Sequence, residues 1–271
     1  MKPTGIRLDQ ALVERALARS RTQAQKLIRS GQVTLDGSIV ARVSHPVRVE
    51  QTVEVSGDHH YVGRAAGKLI DALEAFPIDV SGRIALDAGA STGGFTQVLR
   101  ERGVSHVFAV DVGHGQLVPA IAADSGVSSI ERVNLRWFTR AALAEAAPHA
   151  PSPDQIDLVV GDVSFISLTQ VLPRLHEQLE VRDFVLLVKP QFEVGRGNLD
   201  RGGLVRDPAG HRAAVERVGA CAEHLGLVVA GITRTSVVGG TGNQEFPIWL
   251  TPNEERAVDW HARVDELISR R

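Results

Sequence analysis

The 271-residue sequence lacks the features that mark secreted, metal-clustered and membrane-spanning proteins. Cys221 is its only cysteine, so a disulfide framework and a thiolate metal cluster are both excluded. No apolar run approaches the roughly 18 residues that a membrane helix needs. The opening stretch MKPTGIRLDQ has no apolar core of the signal-peptide kind. We therefore expect a cytoplasmic protein with no metal and no membrane partner.

A strong net charge is also lacking, but the charges are unevenly distributed. The chain carries −2 overall. Residues 1–56 hold nine Lys or Arg side chains against five acidic ones, so the rest of the chain carries the acidic excess. A small basic segment before an acidic body indicates that the segment meets a polyanion.

The basic segment has the pattern of a small module of helices followed by strands. Apolar residues at helical spacing predict a helix over 8–18. Ser20 begins a capping-box pattern, which predicts a second helix that ends before Gly31. Strands are predicted at 33–37 and 47–55.

One face of the second predicted helix is polar and basic. Arg21, Gln25 and Arg29 are spaced four apart, which indicates either a solvated surface or a phosphate-binding stripe. The stretch LVERALARSRTQAQKLIRSGQVTLDG resembles the S4-type RNA-binding domain, a module that is appended to RNA-modifying enzymes. The resemblance favours RNA binding, and the candidate contacts in this segment are Arg7, Arg19, Arg21, Lys26 and Arg29.

The rest of the chain alternates strands with helices. Strands are predicted at 83–89, 105–112, 126–133, 157–164, 184–190, 227–237 and 245–251. Helices are predicted at 94–103, 166–179 and 207–225. This alternation is typical of an α/β fold with a doubly wound, mostly parallel sheet. We predict an RNA-binding domain at 1–58, a linker at 59–66 and a catalytic domain at 67–271.

A small-residue turn in LDAGASTGGFTQVL joins the first of these strands to a helix and predicts a cofactor site. The P-loop pattern is absent, and the glycine spacing does not fit the dinucleotide fingerprint. S-adenosylmethionine has no phosphate, and it needs the close backbone approach that Gly89, Gly93 and Gly94 permit. The same turn contributes the candidates Ala90, Ser91 and Phe95.

Polar residues at the ends of the next strands extend this prediction. Asp111 lies 22 residues beyond Gly89, a spacing at which an acid meets a ribose in nucleotide-binding folds. Asp87 ends the first strand as a polar companion, and Asn134 is a candidate for the adenine side. The alternative for all three is the capping of turns.

Lys189 ends the buried strand FVLLV and is followed by Pro190. A buried ammonium group is costly unless a carboxylate offsets its desolvation. Asp162 ends the preceding strand, and neighbouring parallel strands would bring the two side chains together. Pro190 restricts Lys189 to an extended conformation, so the direction of its side chain is fixed.

The second block resembles the FtsJ-like ribose 2′-O-methyltransferases, and the full chain resembles the TlyA family of ribosomal RNA methyltransferases, some of which are named hemolysins. The resemblance implies a Rossmann-like, seven-stranded methyltransferase fold and a catalytic tetrad of Lys68, Asp162, Lys189 and Glu245. The motifs GDVSFISL, LVKPQFE and GTGNQEF match well. The first motif differs from the family pattern, because GRAAG precedes Lys68 where relatives have Ser-Arg-Gly-Gly.

What the resemblance implies is methyl transfer from S-adenosylmethionine to a ribose 2′-hydroxyl, on a cytidine of ribosomal RNA. Lys189 takes the central role, as a base or as an electrostatic group. A binding-only assembly factor with a vestigial methyltransferase domain is the alternative, and a membrane-lytic activity follows only from the hemolysin name. The sequence does not indicate the oligomeric state.

A glycine-rich segment at 194–208 follows the strand that carries Lys189 and holds Arg196, Arg201 and Arg206. We interpret it as a lid that contacts the RNA backbone, or else as a solvated connector. Arg64, beside Lys68, is a further candidate RNA contact.

Overall fold

The computed structural model describes residues 5–15, 17–18, 20–55, 60–237 and 242–269. Of Arg196, which lies within these ranges, it describes the backbone alone. The chain divides into two compact units, Met1–His60 and Tyr61–Arg271. Within the described ranges, no helix is both long and apolar enough to cross a membrane.

The first unit packs two helices against short antiparallel strands. Its elements are β1 (Ile6–Arg7), α1 (Leu8–Glu14), α2 (Arg21–Arg29), β2 (Val33–Leu35), β3 (Ser38–Ile39), β4 (Pro46–Val47) and β5 (Val53–Val55). β1 pairs with β4, and β2 lies between β3 and β5. Ser20 caps α2 as predicted, since its hydroxyl accepts from the Gln23 N–H at 3.2 Å.

One strand predicted for this unit is wrong in extent. The segment 47–55 divides into β4 and β5 around a turn. The guanidinium of Arg15 donates to the carbonyls of Gln51 (2.6 Å) and Arg48 (3.0 Å), which lie in that turn. The Gln51 N–H also donates to the Arg48 carbonyl at 3.3 Å, which closes the turn, and the bonds from Arg15 hold that turn in place.

The second unit is a seven-stranded sheet with helices on both faces. Its strands are β6 (Ile84–Ala88), β7 (His106–Val110), β8 (Val127–Ile130), β9 (Leu158–Gly161), β10 (Asp183–Val188), β11 (Val228–Ile232) and β12 (Phe246–Thr251). Its helices are α3 (Ala65–Ala75), α4 (Gly94–Glu101), α5 (Pro119–Ala122), α6 (Arg140–Ala146), α7 (Leu168–Gln178), α8 (Pro190–Glu193), α9 (Pro208–His224) and α10 (Trp260–Ser269).

The strand order is β11-β12-β10-β9-β6-β7-β8. β12 runs in the opposite direction to the other six strands of this sheet. The predicted doubly wound, mostly parallel sheet is therefore confirmed. Because β9 and β10 pair in parallel, the residues that follow them emerge side by side at one edge. β12 runs the other way, so its first residue lies at the same edge.

Two apolar layers hold the helices on the sheet. One layer contains Phe108, Phe138 and Phe184, and the other contains Leu69, Leu99 and Trp249. The strands β7, β9, β10 and β12 are buried on both faces, which explains their nearly continuous apolar runs. The rigid sheet fixes the positions of the loops at its edge.

Candidate active site

Four charged side chains meet at the edge where β9 and β10 end. Asp162 follows β9, Lys189 follows β10, and Glu245 immediately precedes β12. Lys68 comes from α3, on the face of that helix that also buries Leu69 and Ala72. The structure thus brings together all four residues of the predicted tetrad.

Asp162 lies at the centre of this cluster, which we call the charged cluster (Lys68, Asp162, Lys189 and Glu245). Its Oδ1 is 2.6 Å from Lys189 Nζ, and its Oδ2 is 3.1 Å from Lys68 Nζ. Glu245 Oε2 is 2.6 Å from Lys68 Nζ. The four side chains are only 3–12% exposed, so each charge relies on its neighbours rather than on water.

The two lysines have different surroundings. Burial lowers the pKa of Lys68, but Asp162 and Glu245 together outweigh burial, so this pKa lies above its usual value. Lys68 therefore stays cationic at neutral pH. Lys189 meets one carboxylate and also donates to Ser164 Oγ at 2.7 Å. It is extended (φ −109°, ψ 102°), as the following proline predicts.

Two adjacent cavities meet at Asp162. The larger, about 530 Å³, is lined by Asp111, Val112, Val133, Asn134 and Leu135 among others. The smaller, about 260 Å³, is lined by Arg64, Lys68 and the glycine turn. Gly89, Ser91, Asp162 and Ser164 line both. Lys189 lines neither, and it contacts the shared wall through Asp162 and Ser164.

The larger cavity fits a nucleoside. Its volume is in the usual range for small-molecule sites. Asp111 offers a carboxylate at the wall, while its two oxygens also accept from the N–H groups of Ser91 (2.8 Å) and Gly113 (2.7 Å). Val133 and Leu135 give an apolar wall for a base. Asn134 lines the cavity, but its side chain caps the next turn by accepting from Arg136 N–H.

The glycine turn depends on backbone that only glycine adopts without strain. Gly89 has φ +86°, and a Cβ there would lie 3.2 Å from the Asp162 carbonyl oxygen. Gly93 has φ +96°, and its Cβ would lie 2.8 Å from Leu117 Cδ1. Gly94 packs on the α3 backbone at Ala66. Ala90 and Phe95 line the smaller cavity with Gly94.

We expect Gly89→Ala to weaken both stability and the site. The left-handed backbone alone costs an alanine about 1–2 kcal/mol, and the new methyl group presses on the carbonyl of Asp162. Gly82→Ala is the matched control, since Gly82 has φ +73° and nothing within 4 Å of its Cβ. Both variants should lose about 1–2 kcal/mol in urea unfolding, but only Gly89→Ala should lose cofactor affinity in calorimetry. Equal cofactor affinities would contradict this role of Gly89.

Asp87 does not reach either cavity. Its side chain is fully buried, Oδ2 accepts from the Thr96 hydroxyl at 2.7 Å, and Oδ1 has no partner. Burial raises the pKa of Asp87 to about 7. Neither cavity is lined by Asp87, because the Thr96 hydroxyl and the packing of α4 hold its carboxyl inside the domain.

We expect Asp87→Asn to change the pH dependence of stability. The folded-state pKa is raised from 3.8 to about 7, so the linked stability is present below about pH 4 and is lost as the pH rises to 7. The free energy of unfolding of Asp87→Asn relative to wild type should rise by about 2–3 kcal/mol between pH 5 and pH 8. Urea unfolding at both pH values measures this, and a constant difference would contradict it.

Some of the side chains predicted to contact RNA in the first unit instead bind a carboxylate within the protein. Asp9 is fully buried, and it accepts from Arg7 Nε (2.9 Å), Arg21 Nη2 (2.9 Å) and Gln25 Nε2 (3.1 Å). The hydrogen bond from Arg7 holds the pKa of Asp9 well below its usual range. Lys26 and Arg29 are exposed on α2. Arg19 lies outside the described residues.

The remaining candidate RNA contacts lie in the second unit. Arg64 is exposed and lines the smaller cavity. Arg201 is exposed, and Arg206 pairs with Asp200 at 2.6 Å. The side chain of Arg196 lies outside the described part of the chain. Whether residues 194–208 act as a lid stays a prediction.

Two features of the site were not predicted. Ser164 lines both cavities and accepts from Lys189, and its position two residues after Asp162 was the only signal for it. Phe165 is 91% exposed with φ +64° and lines the larger cavity. A lone serine and a lone phenylalanine in a loop carry no recognisable pattern.

Comparisons with known proteins agree with this architecture. Residues 61–251 match the model of the FtsJ-like methyltransferases, and residues 6–53 match the S4 domain. The chain is 44% identical to the 16S/23S rRNA (cytidine-2′-O)-methyltransferase TlyA of Mycobacterium tuberculosis, over 93% of this chain and 92% of that protein. It is 35% identical to Hemolysin A of Brachyspira hyodysenteriae, over 89% of this chain and 98% of that protein.

A solved structure is also similar along nearly the whole chain. It is a hemolysin-named protein from Streptococcus thermophilus, 33% identical, with a TM-score of 0.75. The match covers 98% of this chain and 94% of that one. The shared fold therefore includes both units of the chain.

Proposed function

The chain belongs to the FtsJ-like methyltransferases and to the TlyA family within them, and from this premise we propose that it methylates a ribose 2′-hydroxyl of ribosomal RNA. The methyl donor is S-adenosylmethionine, and the target is a cytidine, as the name of the Mycobacterium tuberculosis relative says of that protein. The observation that carries the proposal is the charged cluster at the junction of the two cavities.

The residues of the larger cavity suit the cofactor. Asp111 would accept hydrogen bonds from the ribose hydroxyls of the cofactor, and Val133 and Leu135 would contact its adenine. Gly89 and Ser91, which line both cavities, would hold the methionine end. When bound, S-adenosylmethionine supplies a methyl group on a cationic sulfur, which an oxygen nucleophile takes by in-line displacement.

The charged cluster would act on the incoming hydroxyl. A ribose hydroxyl is a weak nucleophile, and negative charge develops on its oxygen as the proton leaves. Lys68 faces the smaller cavity as a fixed cation and would stabilise that charge. Lys189 keeps the central role proposed for it, beside Asp162 and Ser164. As a base it would take the proton of the hydroxyl on a neutral amine; as an electrostatic group it would stabilise the oxygen while the proton leaves to water. Asp162 and Glu245 position the two ammonium groups.

Ribosomal RNA as the partner is supported by both units. The first unit matches the S4 domain and presents Lys26 and Arg29 on an exposed helix face. The second unit places Arg64 at the smaller cavity. Such basic side chains bind phosphates without reading sequence.

Methyl transfer to isolated ribosomal subunits tests the proposal. The purified full-length chain is incubated with radiolabelled S-adenosylmethionine and with small or large subunits, and the RNA is then extracted. We expect label in the RNA of at least one subunit. Binding of both cofactor and subunits without any transfer would overturn the proposal and favour an assembly factor.

A further inference from the structure

Trp137 is the exposed member of three tryptophans. Trp249 and Trp260 are 3% and 5% exposed, whereas Trp137 is 78% exposed. Indole is a large apolar group, and exposing it to water is costly unless a partner covers it.

The turn that carries Trp137 is firmly held. Leu135 and Phe138, on either side, are buried in the core. Asn134 Oδ1 accepts from Arg136 N–H at 3.0 Å, and Arg174 Nε donates to the Phe138 carbonyl at 2.7 Å. The indole is therefore presented from a fixed backbone, which reduces the entropy that a partner must overcome.

This turn adjoins the mouth of the larger cavity. Arg136, the neighbour of Trp137, lines that cavity together with Phe165. Trp137 itself does not line it. The indole thus lies outside the cofactor volume, and its neighbour Arg136 lines the same cavity that Asp162 of the charged cluster lines.

The charge next to Trp137 in the sequence is positive, on Arg136, and Arg132 lies in the same segment. Within the described ranges, no carboxylate lies at ion-pair distance from Arg132 or Arg136, and both are exposed. Glu131 is engaged by His114 and by the Gly115 N–H (2.7 Å). An exposed aromatic ring whose sequence neighbour Arg136 has no ion-pair partner suits a ligand that has both a flat base and a phosphate.

We propose that Trp137 and Arg136 form a nucleotide-binding strip, where Trp137 stacks on an unpaired base of the substrate RNA and Arg136 contacts a phosphate. The strip rests on the proposed function, because it binds the strand that enters the active site. An apolar protein partner would leave the guanidinium group of Arg136 without a counter-charge, so the charge favours RNA.

Tryptophan fluorescence of the full-length chain tests the stacking directly. Only Trp137 is exposed, so a single-stranded oligoribonucleotide should quench it, while a blunt duplex of the same sequence should quench it much less. Trp137→Phe should show no RNA-dependent change. The same quenching in Lys189→Met would separate binding from turnover. Equal quenching by strand and duplex, or none, would overturn the proposal whether or not methyl transfer occurs.

Affinities separate the two members of the strip. Trp137→Ala should weaken single-stranded RNA binding about 5- to 150-fold, as loss of one stacked base does, while Trp137→Phe should stay within about threefold because a ring remains. A plot of log RNA affinity against log salt concentration has a negative slope, and Arg136→Gln should make that slope shallower by about one. Val258→Ala, an exposed apolar control, should change neither.

Two outcomes would assign the surface differently and overturn the proposal. If Trp137→Ala weakened cofactor binding as much as RNA binding, the turn would belong to the cofactor site. If it weakened binding to intact subunits but not to protein-free RNA, the indole would contact a protein.

Discussion

Asp162→Asn is expected to lower the single-turnover rate of methyl transfer by about 10²- to 10⁴-fold, because Lys189 loses the carboxylate that positions it for proton transfer or charge stabilisation. Asp162 holds Lys189 at 2.6 Å and Lys68 at 3.1 Å, so its loss leaves Lys189 without a carboxylate and releases one contact of Lys68. Stability should fall by up to about 3–5 kcal/mol, because two ammonium groups lose a shared counter-charge in a nearly closed site.

Asp183→Asn is the control for that loss of stability. Asp183 begins β10, at the end opposite Lys189, and it pairs with Arg83 Nη1 at 2.7 Å while accepting from Trp249 Nε1. Its side chain is about as enclosed as that of Asp162, 12% exposed in both. Asp183→Asn should lose stability in urea unfolding yet keep the single-turnover rate. Comparable rates in the two variants would show that Asp162 acts only structurally.

Lys189→Met is expected to lower the single-turnover rate about 10²- to 10⁴-fold as well, with cofactor affinity within about threefold of wild type. The affinity is spared because Lys189 lines neither cavity, and Asp162 keeps Lys68 as its partner. Lys68→Met should also slow transfer, since it removes the cation that faces the smaller cavity.

The double variant Lys68→Met/Lys189→Met measures whether the lysines act as a unit. Groups that share one partner are strongly non-additive. We expect the double variant to be little slower than the slower single variant, in single-turnover assays with saturating cofactor. If the rate loss of the double variant equalled the product of the two single losses, Asp162 would not couple the two lysines.

The sequence allowed the sheet and half of the charged cluster, Asp162 and Lys189, to be predicted from local patterns. Buried strands appear as apolar runs, and Asp162 and Lys189 each directly follow such a run. The parallel pairing of β9 and β10 then brings them together. Lys68 and Glu245 were assigned by resemblance alone, since nothing in their spacing places them near Asp162.

The sequence failed where long-range contacts decide the outcome. A turn interrupts the strand predicted at 47–55, and its carbonyls bond Arg15, more than thirty residues away in the chain. Asp87 has the position of a ligand-facing residue, but the packing of α4 and the Thr96 hydroxyl enclose it. Arg21 was predicted as part of a phosphate stripe, and its ion pair with the buried Asp9 had no signal in the helix pattern.

The position of the methyl group on the RNA tests the central claim most directly. RNA methylated by the wild-type chain is digested to nucleosides and analysed by mass spectrometry beside RNA treated with Lys189→Met. The charged cluster predicts 2′-O-methylcytidine in the wild-type sample and its near absence in the variant. A methyl group on a base instead of the ribose would contradict the account, because the charged cluster would then not have acted on a ribose hydroxyl.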